Sequence, residues 1–310
     1  MEVKAPSESW LSPRRWVLGK DGLVRPIWRS LLYLLVGFVL LVLLQRVLRG
    51  GVKGMPQGWG RVVLYVLMNA GLLALAWLFL RALDRRGFRA LGLWFYAGWG
   101  RESLVGIGIG AGLVTTVVLG MALTQVVSYD GMNPAAGVWM GTLTSAGFLF
   151  LAAAFEEIVF RGYAFQRLVD SFGKLGAILI LSILFGLGHL GNPSANPLST
   201  ANTVLAGVLL SVAYLKTRAL WMPTTLHWTW NLMVGPIYSL PVSGAHIGPG
   251  LFVAEIGSPD WLSGGAYGPE GSVVLTVVCT AAIIWLARTE AVAPSPAMQE
   301  TLKSSSPASV

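Results

Sequence analysis

The chain has 310 residues, 55% of them hydrophobic and only 12% charged, with a mean hydropathy of +0.66. That balance excludes an ordinary soluble domain and indicates an integral membrane protein. The net charge of +8 predicts no nucleic-acid partner, because the basic residues cluster beside apolar segments, where the positive-inside rule already accounts for them.

Backbone groups in lipid must be satisfied within the spanning segment, and barrel-like alternation is absent, so helices are the expected element. The expected fold is all-α: a polytopic bundle of about eight transmembrane helices around a polar intramembrane cavity. Residues 1–27 are mixed and basic and form a cytoplasmic N-terminal segment. The first apolar run starts too late for a cleavable signal peptide, so its helix is expected to stay as an anchor. A transmembrane domain over 28–288 follows. Its spans run from about Trp28 to Val47, Val62 to Leu80, Ser103 to Val127, Val138 to Phe165, Leu175 to Leu190, Asn202 to Leu215, Leu220 to Leu240 and Ser272 to Ala287.

Between the second and third spans, Asp84 to Arg101 mixes arginines with Leu91, Leu93, Trp94, Phe95 and Tyr96, the composition of an interfacial strap. Pro241 to Gly271 is the one long outside loop, rich in Gly, Pro and Ser. Residues 289–310 are expected to be a disordered cytoplasmic tail. Cys279 is the single cysteine and excludes an intrachain disulfide and a cysteine-based zinc site.

Charge sets the orientation. With both termini in the cytoplasm, the inside segments hold Lys4, Arg14, Arg15, Lys20, Arg25 and Arg29, then Arg81, Arg85, Arg86, Arg89 and Arg101, then Arg167 and Lys174, Lys216 and Arg218, and Arg288. The outside loops after helices three, five and seven hold no Lys or Arg; only the first outside loop, with Arg49 and Lys53, opposes the trend. The expected location is a bacterial inner or plasma membrane.

Three polar clusters interrupt the apolar background within a motif core over 138–240. The first is F-E-E-I-V-F-R at Phe155 to Arg161. A carboxylate at bilayer depth costs several kcal/mol, so it needs a partner or a function. Helix phase puts Glu157 on one face with Arg161 and turns Glu156 elsewhere. The second is F-G-L-G-H, ending in His189, and the third is H-W-T-W-N, where His227 and Asn231 share a face. Taken singly, each has a structural reading: a snorkelling Glu-Arg bridge, or a histidine or asparagine joining helices. Counting 1.5 Å per residue brings Glu156, His189 and His227 to depths on the order of 10 to 20 Å below the cytoplasmic surface. The expectation is therefore one cavity, open to the cytoplasm.

A free glutamate with two histidines and an asparagine suits amide hydrolysis by either of two routes. Glu156 and His189 can polarise a water while His227 and Asn231 donate to the oxyanion. Alternatively, Glu156, His189 and His227 can bind zinc and leave a position for activated water. There is no H-E-x-x-H signature, and the sequence leaves both routes open.

In order, E-E-I-V-F-R, F-G-L-G-H and H-W-T-W-N resemble the E-E-x-x-x-R, F-x-x-x-H and H-x-x-x-N motifs of the CAAX-processing and bacteriocin-processing (CPBP, or Abi) intramembrane proteases. The resemblance covers about a third of the chain, Gly141 to Ile237. It implies an eight-helix endopeptidase similar to the type II CAAX prenyl proteases, acting on a protein or peptide substrate that can be lipidated and lies against membrane lipid. It also implies that Glu156 and His189 activate water, that His227 and Asn231 stabilise the oxyanion, and that Glu157 and Arg161 support them. The family is described both as metalloproteases and as metal-free glutamate-dependent proteases, so zinc or no cofactor is expected. The rival reading from the same residues is a non-enzymatic bacteriocin self-immunity or peptide-binding protein. A proton-coupled transporter is disfavoured by the lack of paired broken segments in the two halves.

Overall fold

In the computed structural model, which describes residues 16–19, 22–51 and 59–304, each of the eight apolar segments is helical. The first six long helices are α1 (Pro26–Gly51), α2 (Trp59–Ala82), α3 (Trp99–Leu123), α4 (Val138–Arg161), α5 (Tyr163–Gly188) and α6 (Pro197–Thr217). They are followed by α7 (Trp221–Leu232), which continues into a π-turn at Met233–Ile237, the short α8 (Asp260–Ser263), α9 (Val273–Arg288) and α10 (Pro296–Ser304). Five stretches are long and apolar enough to cross a membrane, one of them the 51-residue run that contains α4 and α5; α9 is apolar but shorter. Lys4, Arg14, Arg15, Lys20 and Lys53, which entered the orientation argument, lie outside the described residues.

Several boundaries differ from the sequence expectation for identifiable reasons. The third helix ends at Leu123 rather than Val127, because Val127–Met132 pairs as β1 with β2 (Phe252–Ile256) in an antiparallel ribbon. The fourth stops at Arg161, and Gly162 turns the backbone before α5 begins. Residues 163–168, expected to close one span and begin a loop, are instead buried helix, and α5 breaks only at Gly173, with φ of +71°. The sixth begins earlier than expected because Asn196 and Ser199 form a reciprocal capping box with Pro197 in the first turn. The tail expected to be disordered contains α10, whose Met298 packs with Tyr96 and Ala219.

Two apolar clusters hold the bundle together. One joins α3, α6, α7 and α9 through residues such as Val117, Met121, Leu209, Met222 and Leu286; the other joins α1, α2, α4 and α5 through Tyr33, Leu72, Phe79, Ile158 and Phe165. α3 meets α7 at backbone distance, because a side chain at Gly106 would come within 2.5 Å of the Met222 carbonyl and one at Gly110 within 2.8 Å of the Leu226 carbonyl.

The two ends of the bundle contrast in charge. At one end Asp84 takes both Arg29 and Arg167 (3.3 Å), and the segment after α2 folds over the helix ends with Leu91 and Tyr96 buried. The turn between α6 and α7 sits against it, where the Leu220 amide donates to the Gly92 carbonyl at 3.0 Å. The other end consists of the β1–β2 ribbon, the turn after His189, and the ordered 3-10 turns and short α8 of the loop before α9.

Candidate active site

The buried half of the site is built on the last turn of α4. Glu157 and Arg161 are both 0% exposed, and Arg161 Nη1 donates to Glu157 Oε1 at 3.1 Å, the i,i+4 pair expected from helix phase. Arg161 Nη2 donates to the Gly207 carbonyl of α6 at 3.0 Å, and its guanidinium lies 4.7 Å from the centre of the Phe185 ring. This arginine therefore fastens α4 to both α5 and α6. Removing Glu157 would leave the buried guanidinium without its bonded carboxylate, and removing Arg161 would leave Glu157 with the His227 imidazole alone.

His227 completes this half, which the sequence did not indicate. Its Nδ1 lies 2.9 Å from Glu157 Oε1. An ionised carboxylate can only accept, so Nδ1–H is the donor and Nε2 is turned toward Glu156 Oε2, 3.8 Å away. His189, at the C-terminus of α5, is oriented in the same way: Nδ1–H donates to the Phe185 carbonyl at 2.8 Å, and Nε2 faces Glu156 Oε2 at 4.0 Å. Phe185 packs against both imidazoles, with ring centres 4.7 Å from His189 and 6.2 Å from His227.

Glu156 is the exposed partner of the pair of glutamates. Its side chain is 28% exposed, whereas that of Glu157 is fully buried, and its Oε2 makes no hydrogen bond among the described residues. Separations of 3.8 and 4.0 Å are too long for direct hydrogen bonds. One carboxylate oxygen and two imidazole nitrogens thus converge without satisfying one another. Asn231, one turn beyond His227 on α7, lines the same cavity as Glu156, His189 and His227.

The cavity measures about 1050 Å³ and is lined from α2 through α7, from α9, and from the loops that follow α5 and precede α9. Arg61 and Tyr65 of α2 contribute to its wall, and Tyr65 stacks edge-on against Phe148 and Phe155 of α4 at 5.3 and 5.7 Å. Glu270 contributes at the rim, where it accepts from Trp230 Nε1 (2.9 Å), Ser243 Oγ (2.7 Å) and the Ser243 amide. These bonds span 40 and 27 residues, so no local pattern reveals them. His246, in the loop before α9, is exposed and sits on the cavity lining.

The cavity lining extends from Glu156 to Asn192, Ser243, His246 and Glu270, at the end that carries the ribbon and the long loop. Toward the arginine-rich end, Tyr163, Phe165, Tyr214 and Leu220 are each at most 1% exposed.

Among the described residues, no group of three or more His, Cys, Asp or Glu side chains stands at metal-ligand spacing. Glu156, His189 and His227 are the expected set, and as they stand they do not fit a zinc ion, so no chemical step is derived through one.

This is a mostly helical membrane protein with buried ionisable groups meeting at one cavity. Residues 137–233, which run from α4 through α7 and contain all six motif residues, match the family described as "Type II CAAX prenyl endopeptidase Rce1-like", consistent with the CPBP resemblance. That family implies a protease. No curated protein and no solved structure matches the chain.

Proposed function

We infer that the protein is an intramembrane endopeptidase that hydrolyses a peptide bond near a lipidated or membrane-embedded segment. The observation that carries this reading is the convergence of Glu156 Oε2 with the Nε2 atoms of His189 and His227 at 4.0 and 3.8 Å, in a cavity large enough for an extended peptide. The family match over the same residues supports the reaction class.

In this mechanism a water donates one hydrogen bond to Glu156 and the other to His189 Nε2, whose lone pair is directed to the cavity by the Nδ1–H bond to Phe185. As the water oxygen attacks the carbonyl carbon, Glu156 takes up its proton. The tetrahedral oxyanion accepts from Asn231 and from His227 protonated at Nε2, and the Glu157 carboxylate beneath Nδ1 offsets that imidazolium charge. The C–N bond then breaks, and the proton held by Glu156 passes to the leaving amine. Arg161 holds Glu157 in place and touches no reacting atom.

The test is cleavage of a membrane-embedded peptide reporter by purified protein. Glu156→Gln should lower kcat/KM by about 10²- to 10⁴-fold, the range for a lost general base, with the thermal transition unchanged. Wild-type rates in Glu156→Gln would overturn the assignment. Activity that survives exhaustive chelation supports the route through Glu156, whereas loss restored by zinc alone would replace it.

A further inference from the structure

We propose that the arginine-rich end of the bundle holds a binding site for the phosphate of an anionic phospholipid headgroup. The site is separate from the Glu156 cavity and goes beyond the hydrolytic reading, so it stands or falls without it.

The first observation is a second cavity, of about 1130 Å³, where the start of α1, the segment after α2, α5 and α10 meet. Arg25, Arg29, Arg85, Arg86, Arg89 and Arg167 line it, against the carboxylates of Asp84, Asp170 and Glu300. These carboxylates serve only two of the arginines. Asp84 Oδ1 takes both Arg29 and Arg167 (3.3 Å), and Asp170 Oδ2 goes to Arg167 again, at 3.1 Å. Among the described residues, Arg25, Arg85, Arg86 and Arg89 have no ion-pair partner.

The second observation is crowding of like charge. Burial, and after it the neighbouring Arg167, push the Arg86 guanidinium below its ordinary value, and Asp170 and Asp84 offset only part of this. Arg29 and Arg167 are 5% and 3% exposed, and the Nε of each makes no hydrogen bond among the described residues. Asp84 Oδ2 is the one carboxylate oxygen left in the same condition here. A phosphate would replace repulsion among these groups with attraction, and its oxygens match the planar donor fork of a guanidinium. Arg89 is already held for this purpose, 4.6 Å from the centre of the Trp94 ring.

The third observation is position. The cavity lies where two apolar helices long enough to cross a membrane, Pro26–Leu48 and Trp59–Ala82, come to an end, which is headgroup level for a spanning helix. In the turns after Arg25, α1 exposes Trp28, Leu31, Leu32 and Leu35, an apolar face for acyl chains beside the charged site. That pairing favours a lipid over a free phosphate. Membrane topology asks only that basic residues gather at one end, not that they surround a cavity.

The full chain, purified in neutral detergent, is titrated with phosphatidylglycerol, phosphatidylcholine or inorganic phosphate. Native mass spectrometry counts bound lipid, and the thermal transition is followed in parallel. Phosphatidylglycerol should bind and raise the transition, whereas phosphatidylcholine and inorganic phosphate at the same concentration should not. Arg86→Gln/Arg89→Gln should weaken phosphatidylglycerol about tenfold. Arg85→Gln/Arg89→Gln, at two exposed positions, should do the same and serves if the first variant does not fold. Arg101→Gln/Lys174→Gln removes two exposed charges that do not line the cavity and should leave binding unchanged. An equal loss in that control would reduce the effect to general attraction and overturn the site. Phosphatidylcholine or inorganic phosphate as effective as phosphatidylglycerol would overturn the anionic-lipid assignment.

Discussion

Glu156 and Glu157 are adjacent in the chain, yet they belong to two regions with opposite requirements. Glu157 is fully buried and bonded through Oε1 to Arg161 and His227, while Glu156 is part-exposed in the cavity with Oε2 3.8 and 4.0 Å from two imidazoles. Oε2 of each glutamate makes no hydrogen bond among the described residues, so what separates the two is that Glu157 has bonded charged partners and Glu156 has none. A buried charge pair contributes little net stability but is costly to break. An unpartnered carboxylate beside two imidazoles is costly to keep and useful for proton transfer. The contrast shows that one polar stretch can supply both the support and the reacting group, with the 100° step between neighbouring helical residues separating them.

Substitutions on the two sides of this divide should fail in different ways. The largest effect is expected for Glu156→Gln. A loss of about 10²- to 10⁴-fold in kcat/KM corresponds to about 2.7 to 5.4 kcal/mol of transition-state stabilisation, with little change in melting temperature. Arg161→Ala should do the reverse. It leaves the Glu157 carboxylate only His227 as a partner and removes the tie to Gly207, so about 3 to 5 kcal/mol of stability should be lost in denaturation of the detergent-solubilised protein. If Arg161→Ala instead left stability intact and abolished only turnover, the division between the two glutamates would be wrong.

Two further changes probe the surroundings. Asn231→Ala should lower kcat by about 10²- to 10³-fold with KM little altered, as for a lost oxyanion donor. An effect confined to KM would move Asn231 into substrate binding. Smallest of the four, Gly106→Val should cost about 1 to 3 kcal/mol of stability, because its side chain would meet the Met222 carbonyl and force α3 from α7. Unchanged stability would show that the α3–α7 contact can relax.

Much of this arrangement could be read from the chain. The apolar runs predicted helices, five stretches of which are long and apolar enough to cross a membrane, and the i,i+4 rule paired Glu157 with Arg161. The Glu, His, His and Asn of three separate motifs do line one cavity. Local periodicity carries this information because a helix repeats every 3.6 residues whatever surrounds it. The β1–β2 ribbon was not legible, since its partners lie more than a hundred residues apart and are too short for a strand signal. The helix at the tail was also missed, because it depends on Met298 docking against the strap and has little propensity of its own.

The sequence by itself determined a membrane-spanning helical bundle, its charge asymmetry, and which side chains could perform hydrolysis, because hydropathy, charge and helix phase are properties of contiguous residues. Only the tertiary structure decided that Glu157 bonds His227 and that Glu270 ties Trp230 to Ser243. Those facts depend on which helices are neighbours and on where packing closes the bundle. Both follow from side-chain volumes meeting across long separations in the chain, which no local pattern encodes.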